Sequence, residues 1–303
     1  MDRLFVWICI GAASMSMLVL AVLLGSILLK GLAHLDLQFL KDVPSRKPQD
    51  AGIYPALMGT IWICVVCAAA AIPLGVGTAV LLEEFKPKGR VVKHLHAFVQ
   101  LNITNLAGVP SVVYGILGLT VFVSAFGLAG HANDPVWTLG TLDDWYYLQL
   151  PFGRGVLAGG LTLMLVILPV IIIASQEAIR AVPDSLRRGA LALGATRWQM
   201  VRRMTLPAAV PGIMTGAILA MSRAIGEAAP ILIIAGVVYI TFTPEHIMDD
   251  FTAMPLQIFD WASRPDAEFH RVAASGILVL LSVLLAFNAV AVLIRHRFQR
   301  PLS

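Results

Sequence analysis

The stretch Glu177–Pro207, EAIRAVPDSLRRGALALGATRWQMVRRMTLP, decides how the rest of the chain is read. It carries Arg180, Arg187, Arg188, Arg197, Arg202 and Arg203, and the chain on either side is apolar enough to enter a bilayer. A basic island between two spans belongs in water on the cytoplasmic side. Its local grammar is helical. Pro183 and Asp184 open a helix, with Asp184 or Ser185 available as N-cap. Leu186, Ala190 and Leu193 share one face of that helix, and the Arg187–Arg188 pair lies off it. Gly194 permits a sharp turn, because glycine carries no steric penalty at positive φ. Thr196 can cap a second short helix, which Pro207 stops from the far side. Two short helices at an angle, outside a membrane, make a compact knob for a soluble partner.

Composition agrees with a membrane setting. Of 303 residues, 58% are hydrophobic and 13% charged, and the mean hydropathy is +0.82. Soluble domains carry roughly a quarter charged residues. The lipid bilayer is therefore the main partner. The net charge of +4 is no nucleic-acid signal, because the Lys and Arg residues sit in loops at membrane edges. The first apolar run is long enough to span and stays as an anchor. Cys64-Val-Val-Cys67 has redox-motif spacing but lies inside an apolar helix, where packing is the expected role. His94 and His96 read as a membrane-edge feature rather than a metal site.

Six spans follow in order. Leu4–Leu29 is free of charge and long enough for one helix. Lys30–Asp50 is a polar loop. Ala51–Leu82 is the second run, with Pro73 predicting a bend near its end. Ala97–Gly130 is too long for one straight crossing of about 20 residues. Either a short helix precedes that span, or it is bent at Pro110. His131–Gly153 is a loop whose Trp145, Tyr146 and Tyr147 suit the headgroup layer. Gly155–Gln176 is the fourth span, and Gly155 with Gly159 could allow close helix contact. Pro207 to about Tyr239 is the fifth, with Gly212 and Gly216 repeating that spacing. An acidic loop, Glu245–Arg271, leads to the sixth span, Val272–Ile294, and a basic tail with Arg295, Arg297 and Arg300. The termini, the Glu83–Lys93 turn and the central loop hold fourteen Lys and Arg, against seven for the other loops. That asymmetry puts both termini in the cytoplasm.

Arg223 and Glu227 are the full charges within a predicted span. Arg223 lies 16 residues past Pro207, about 24 Å along a helix and so near the midplane. Four residues apart, the two charges lie on one face and can neutralise each other. Arg before Glu is the poorer order for an intrahelical pair, so helix stabilisation explains little. Two roles remain open. One is an anion pathway, in which a guanidinium offers planar donors to an oxyanion. The other is an ion pair tying helices together. Ser222, Asn102, Thr104 and Asn105 could add hydroxyl or amide donors, or serve as interhelical glue.

The central loop resembles that of the permease subunits of bacterial ABC importers. Their pattern is Glu-Ala-Ala, three residues, Gly, nine residues, Ile, one residue, Leu-Pro. Gly194, Met204, Leu206 and Pro207 match its second part, while Arg188, Gly189 and Ala190 stand where Glu-Ala-Ala is expected. Ser-Arg-Ala-Ile-Gly-Glu-Ala-Ala-Pro-Ile, from Ser222, resembles the fifth helix of phosphate-specific ABC permeases, A-type subunit, with Ala228 replacing a Thr. Gly108–Gly115 is similar to that family's third-helix motif.

The resemblance implies an all-α, polytopic type I importer permease, with six transmembrane helices and a cytoplasmic coupling-helix loop. Residues 1–50 would form the first helix and an outward loop. Residues 51–303 would form the core of five helices, including the 177–207 loop. It implies phosphate as substrate, with Arg223 and Glu227 matching pathway residues and Ser222, Asn102 and Thr104 as added donors. It implies docking to the ATPase through Asp184, Arg188, Ala190, Leu193, Gly194, Ala195, Met204, Leu206 and Pro207. The implied partners are a sister phosphate permease subunit, two ATP-binding subunits and a periplasmic phosphate-binding protein, in a bacterial inner membrane. No Gly-x-x-x-x-Gly-Lys-Ser/Thr loop occurs, so no cofactor is expected on this chain. ATP and magnesium would sit on the partner ATPase. The alternatives are another oxyanion (phosphonate, sulfate or molybdate), an ATP-independent anion transporter, or a membrane enzyme. The last should cluster His, Asp, Ser or Cys near an interface.

Overall fold

Helices dominate because the bilayer leaves the backbone no other partner for its N–H and C=O groups. The computed structural model describes residues 2–86, 89–127, 130–131, 134–141, 144, 147–236 and 239–298. Of the aromatics expected in the headgroup layer, Trp145 and Tyr146 lie outside the described residues, as does Arg300 of the tail. In chain order the helices are α1 (Asp2–Gly31), α2 (Leu37–Lys41), α3 (Tyr54–Glu84), α4 (Arg90–Leu106), α5 (Ser111–Gly118), α6 (Val156–Arg180), α7 (Asp184–Ala192), α8 (Arg197–Met200), α9 (Leu206–Gly226), α10 (Ala229–Ala235), α11 (Met254–Ser263) and α12 (Ala267–Phe298). Among the described residues, five helices are long and apolar enough to cross a membrane, and the count is six if one bent pair is taken as a single span.

That pair settles the alternatives left open for the third run. α4 and α5, the latter running on to Val123, meet at an angle of 110°. Pro110 stands at the turn, where it cannot continue a helix. The Tyr114 hydroxyl donates to the Leu106 carbonyl at 2.7 Å and ties the two limbs together. Below the bend, Gln100 and Gln176 exchange amide hydrogen bonds of 3.1 and 2.7 Å, joining α4 to α6. The His96 ring sits 2.9 Å from the Leu82 carbonyl near the end of α3.

α6 is the central post and the most buried of the candidate spans. Its small residues set how closely neighbours come. A Cβ on Gly160 would lie 2.5 Å from Val66 of α3, and one on Gly118 would lie 2.0 Å from the Thr162 hydroxyl. Gly212 and Gly216 of α9 abut Ala178 and Ala174 of α6, so that pair packs helix on helix as its spacing predicts. Gly155 and Gly159 do not. They receive the acidic loop Glu245–Arg271, Gly155 against the Met248 carbonyl and Gly159 against the Phe251 ring. α1 leans on α12, where Gly31 meets Ala274 and the Ser275 hydroxyl donates to the Gly31 carbonyl at 2.7 Å.

Four expectations change. Pro207 does not stop the second knob helix: Arg197–Gly226 runs as one span. A wide i→i+5 turn at Val201–Thr205 precedes it and removes the carbonyl that the proline ring would strike. Neither Asp184 nor Ser185 caps α7; Pro183 holds the cap position without a side-chain bond, and Asp184 is the first helical residue. The fifth run is not one helix to Tyr239, since α9 ends at Gly226 and α10 ends at Ala235, before Gly236, whose φ is +67°. The loop after the third span is not free of β structure. It holds two small antiparallel pairs, Gly130–His131 with Asp134–Pro135 and Trp137–Leu139 with Leu148–Leu150.

The acidic loop before α12 is stapled to α3 by contact too close for a side chain. A Cβ on Gly59 would lie 2.0 Å from the Thr252 carbonyl oxygen, and the Thr60 hydroxyl accepts from the Met254 N–H at 2.9 Å. Backbone against backbone cannot yield cheaply. Gly59→Ala is therefore expected to cost about 2 kcal/mol or more by chemical unfolding in detergent. Gly77→Ala on the same helix, with nothing within 4 Å, should cost nothing.

Candidate functional site

Two sites were anticipated, and the structure describes both. The first is the knob. α7 ends in a turn at Gly194, which takes φ +83°. Thr196 then caps α8 in a full capping box, accepting from the Gln199 N–H at 3.3 Å while the Gln199 side chain accepts from the Thr196 N–H at 2.9 Å. Ala190, Met200 and Val201 form the small core that holds α7 against α8. Ala190, expected on the docking surface, is therefore the knob's inner packing. Leu206 is half-buried, and Ala195 packs on the edge of the same core.

Asp184, Arg188, Leu193, Gly194, Met204 and Pro207 face outward. Leu193 is 90% exposed and leaves the face it was expected to share with Leu186 and Ala190, because it follows the last turn of α7. Leu191 and Trp198 are also exposed and extend the apolar patch. Sequence reading passed over both, although Trp198 next to a helix cap in a basic loop was a visible signal.

Arg187 was read only as lying off the apolar face. In the fold it is the most connected side chain of the knob. Its Nε donates to Glu84 at 3.0 Å, and Nη1 to the Val182 carbonyl at 2.6 Å and to Asp184 at 3.0 Å. Nη2 donates to the Ile179 carbonyl at 2.6 Å. Arg180 makes a parallel link, donating to Glu83 at 2.5 Å and Glu177 at 3.0 Å. These groups line a cleft of about 430 Å³ between the end of α3 and the knob.

The second site is the charged pair. The Arg223 Nε donates to Glu227 at 3.1 Å. Arg223 is in the last turn of α9, and Glu227 is the first residue beyond it, in extended conformation. The pair thus straddles a break in the fifth span. There, helix carbonyls lack their usual donors. Their side chains are 48% and 17% exposed. Leu219, Arg223 and Gly226 form an exposed stripe on α9 that no helix covers among the described residues. α5 closes one side: Gly115 packs on Pro230, three residues past Glu227, with a Cβ position 2.9 Å from its Cα. The bent third span and the broken fifth span therefore meet beside the charges.

The added donors lie elsewhere. The Ser222 hydroxyl donates to Asn288 of α12 at 2.6 Å and to its own helix at Ile218. Asn102 and Thr104 bond carbonyls one turn back on α4, Phe98 at 2.7 Å and Gln100 at 3.1 Å. Neither bonds the charged pair. The Ser222–Asn288 bond joins α9 to α12, as an interhelical polar contact does. The chemistry available is electrostatic: one half-exposed guanidinium with donors to spare, compensated by one carboxylate. Among the described residues no group of His, Cys, Asp and Glu could hold a metal ion.

Comparison with known proteins adds the family. Residues 71–302 match the model for the "Binding-protein-dependent transport system inner membrane component". The chain is 32% identical over 289 residues to the probable ABC transporter permease protein YqgI of Bacillus subtilis, covering 90% of this chain and 87% of that one. It is 31% identical over 245 residues to the phosphate transport system permease protein PstA 1 of Mycobacterium tuberculosis, covering 80% and 70%. In fold it is similar to a chain in the crystal structure of a bacterial alginate ABC transporter in complex with its alginate-bound periplasmic protein. The TM-score there is 0.65 at 15% identity, covering 96% and 93%.

The turn at Gly194 offers a clean measurement. A Cβ there meets nothing within 4 Å, so only the left-handed backbone opposes a side chain. Gly194→Ala should cost about 1 kcal/mol in unfolding stability, and Gly189→Ala, equally open but within α7, should cost none.

Proposed function

The chain belongs to the family of binding-protein-dependent transport system inner membrane components, and on that premise we propose that it is a transmembrane permease subunit of an ATP-driven phosphate importer. It is a multi-pass membrane protein. With a sister permease subunit it forms the route for inorganic phosphate. Two ATP-binding subunits dock on the knob and hydrolyse ATP with magnesium, and a periplasmic phosphate-binding protein delivers the anion to the opposite face. Both termini lie in the cytoplasm, as the Lys and Arg asymmetry requires.

The observation that carries this reading is the half-exposed Arg223 at the break in the fifth span. A cation at that depth is costly unless it is used or paired. A well-covered pair would be structural; this one keeps donors free on a face that this chain leaves open. The guanidinium matches the oxygens of a tetrahedral anion, and Glu227 gives it a partner when the route is empty. Phosphate displaces Glu227 as it arrives and yields to it on leaving. Weak, exchangeable contact suits passage better than tight binding. Phosphate is favoured over other oxyanions by the relatives named as phosphate transport permeases.

On the knob, the exposed apolar groups Leu191, Leu193 and Trp198 form the docking patch. ATP binding draws the ATPase subunits together and moves the knob. α6 and α9 leave it on either side and tilt, so the cavity opens alternately to the two faces.

Uptake of labelled phosphate by the reconstituted complex tests the pathway. Arg223→Gln removes a charge-assisted contact worth about 1.5–3 kcal/mol, so uptake should fall roughly 10- to 100-fold in assembled complexes. Wild-type uptake in that variant would remove Arg223 from the route. Excess sulfate, molybdate or phosphonate should leave wild-type uptake unchanged; strong competition by one of them would reassign the substrate. For the knob, Leu193→Asp should sharply reduce recovery of the ATPase on purification, whereas Leu81→Asp, also exposed but on α3 and off the knob, should not reduce it through docking. Equal ATPase recovery with Leu193→Asp would place docking elsewhere.

A further inference from the structure

We infer that Arg187 and Glu84 are positioning residues that make α3 a driven helix, so that the knob moves α3 directly as well as the two helices that flank it in sequence. The inference rests on the permease reading above and goes beyond it.

The chain itself connects the knob to α6 and α9. Nothing in the sequence connects it to α3, which ends about a hundred residues earlier. The structure makes that connection through charge. Glu83 and Glu84 are the last two residues of α3. Two carboxylates there face the negative end of the helix dipole and repel each other. Their side chains are only 8% and 7% exposed. Such a pair of nearly covered charges stands only if each has a cation. Each has one, from the segment that leads into and forms the knob: Arg180 for Glu83, Arg187 for Glu84.

Arg187 does more than neutralise. An arginine offers five N–H donors in a fixed plane. Four are used here, on three different pieces of chain. One goes to α3 at Glu84 and one to α7's own first residue, Asp184. Two go to backbone carbonyls where α6 ends: Ile179 in its last turn, which also accepts from the Val182 N–H at 3.2 Å, and Val182 two residues beyond it. A planar fork anchored at four points resists both sliding and twisting. The knob, the end of α6 and the end of α3 are thereby joined as one body. α3 in turn packs along α6 through Gly160 and Gly75, where a Cβ would lie 2.5 Å from Val66 and from Ile171. A shift of the knob is passed to α3 at its end and along its length.

The test uses the full complex of this chain with its sister permease and ATPase subunits, in nanodiscs and in proteoliposomes. Spin labels at Ser185→Cys on α7 and Leu81→Cys on α3, in a background without the native cysteines, report the distance between knob and α3. Nucleotide-free and ATP-trapped states are compared. With the clamp intact the distance should be the same in both states. Glu84→Gln keeps the shape but removes the charge; its complex should show a distance that changes on ATP trapping, and phosphate carried per ATP hydrolysed should fall at least fivefold. The exchange Arg187→Glu with Glu84→Arg should recover part of that ratio. A distance that shifts with the clamp intact overturns the inference. So does a Glu84→Gln complex in which the distance and the transport ratio stay as in the parent. The distance readout needs no particular substrate. Failure of phosphate-loaded binding protein to stimulate the parent complex would count against the phosphate reading alone.

Discussion

Close contact between helix backbones at α6 is the constraint from which the rest of the architecture follows. In lipid there is no water to expel from between helices, so packing depends on how closely their surfaces fit. α6 meets α3 at Gly160, α9 at Ala174 and Ala178, and the bent third span at Thr162 and Gln176. Each contact uses a glycine or alanine on one side, or a polar group that finds a partner. These contacts fix where α9 ends and where α5 lies. They therefore place the charged pair and set the angle at which the knob leaves the membrane.

Charge is handled differently at the two sites, and the difference follows from cover. At the knob, the Glu83 and Glu84 side chains are almost wholly covered, and each is held by an arginine in an ion pair. Removing either partner would strand a charge. At the break in the fifth span, Glu227 is moderately covered and Arg223 half-exposed. A pair that open is worth roughly 1 kcal/mol or less in water. It can separate without unfolding anything. The first arrangement suits transmission of force and the second suits exchange of a ligand.

Residue patterns carried much of the knob. Gly194 takes the left-handed turn expected of it, and Thr196 caps the second helix as expected, with Gln199 completing a capping box. Gly212 and Gly216 pack as a small-residue pair should. Patterns failed where a distant segment intervened. Gly155 and Gly159 have the same spacing but receive the acidic loop at Met248 and Phe251, which no local rule anticipates. Pro207 reads as a stop until the wide turn before it is seen to open the register. Ser222 leaves donor and interhelical glue open, and only the fold brings Asn288 within 2.6 Å of it.

The sequence by itself determined that the chain is a bundle of membrane helices, roughly where each begins, that a basic capped knob separates two of them, and that one Arg and one Glu stand inside the apolar region. Those facts are local: they depend on hydropathy, helix caps and the conformational range of Gly and Pro, all readable within a few residues. Only the tertiary structure decided which charges are covered and which stay open. It placed Glu84 under Arg187, 103 positions away, and put Glu227 just past a helix end beside the bend of another span. Burial is a property of what comes to lie on top, and in this chain the covering group comes from far along the sequence.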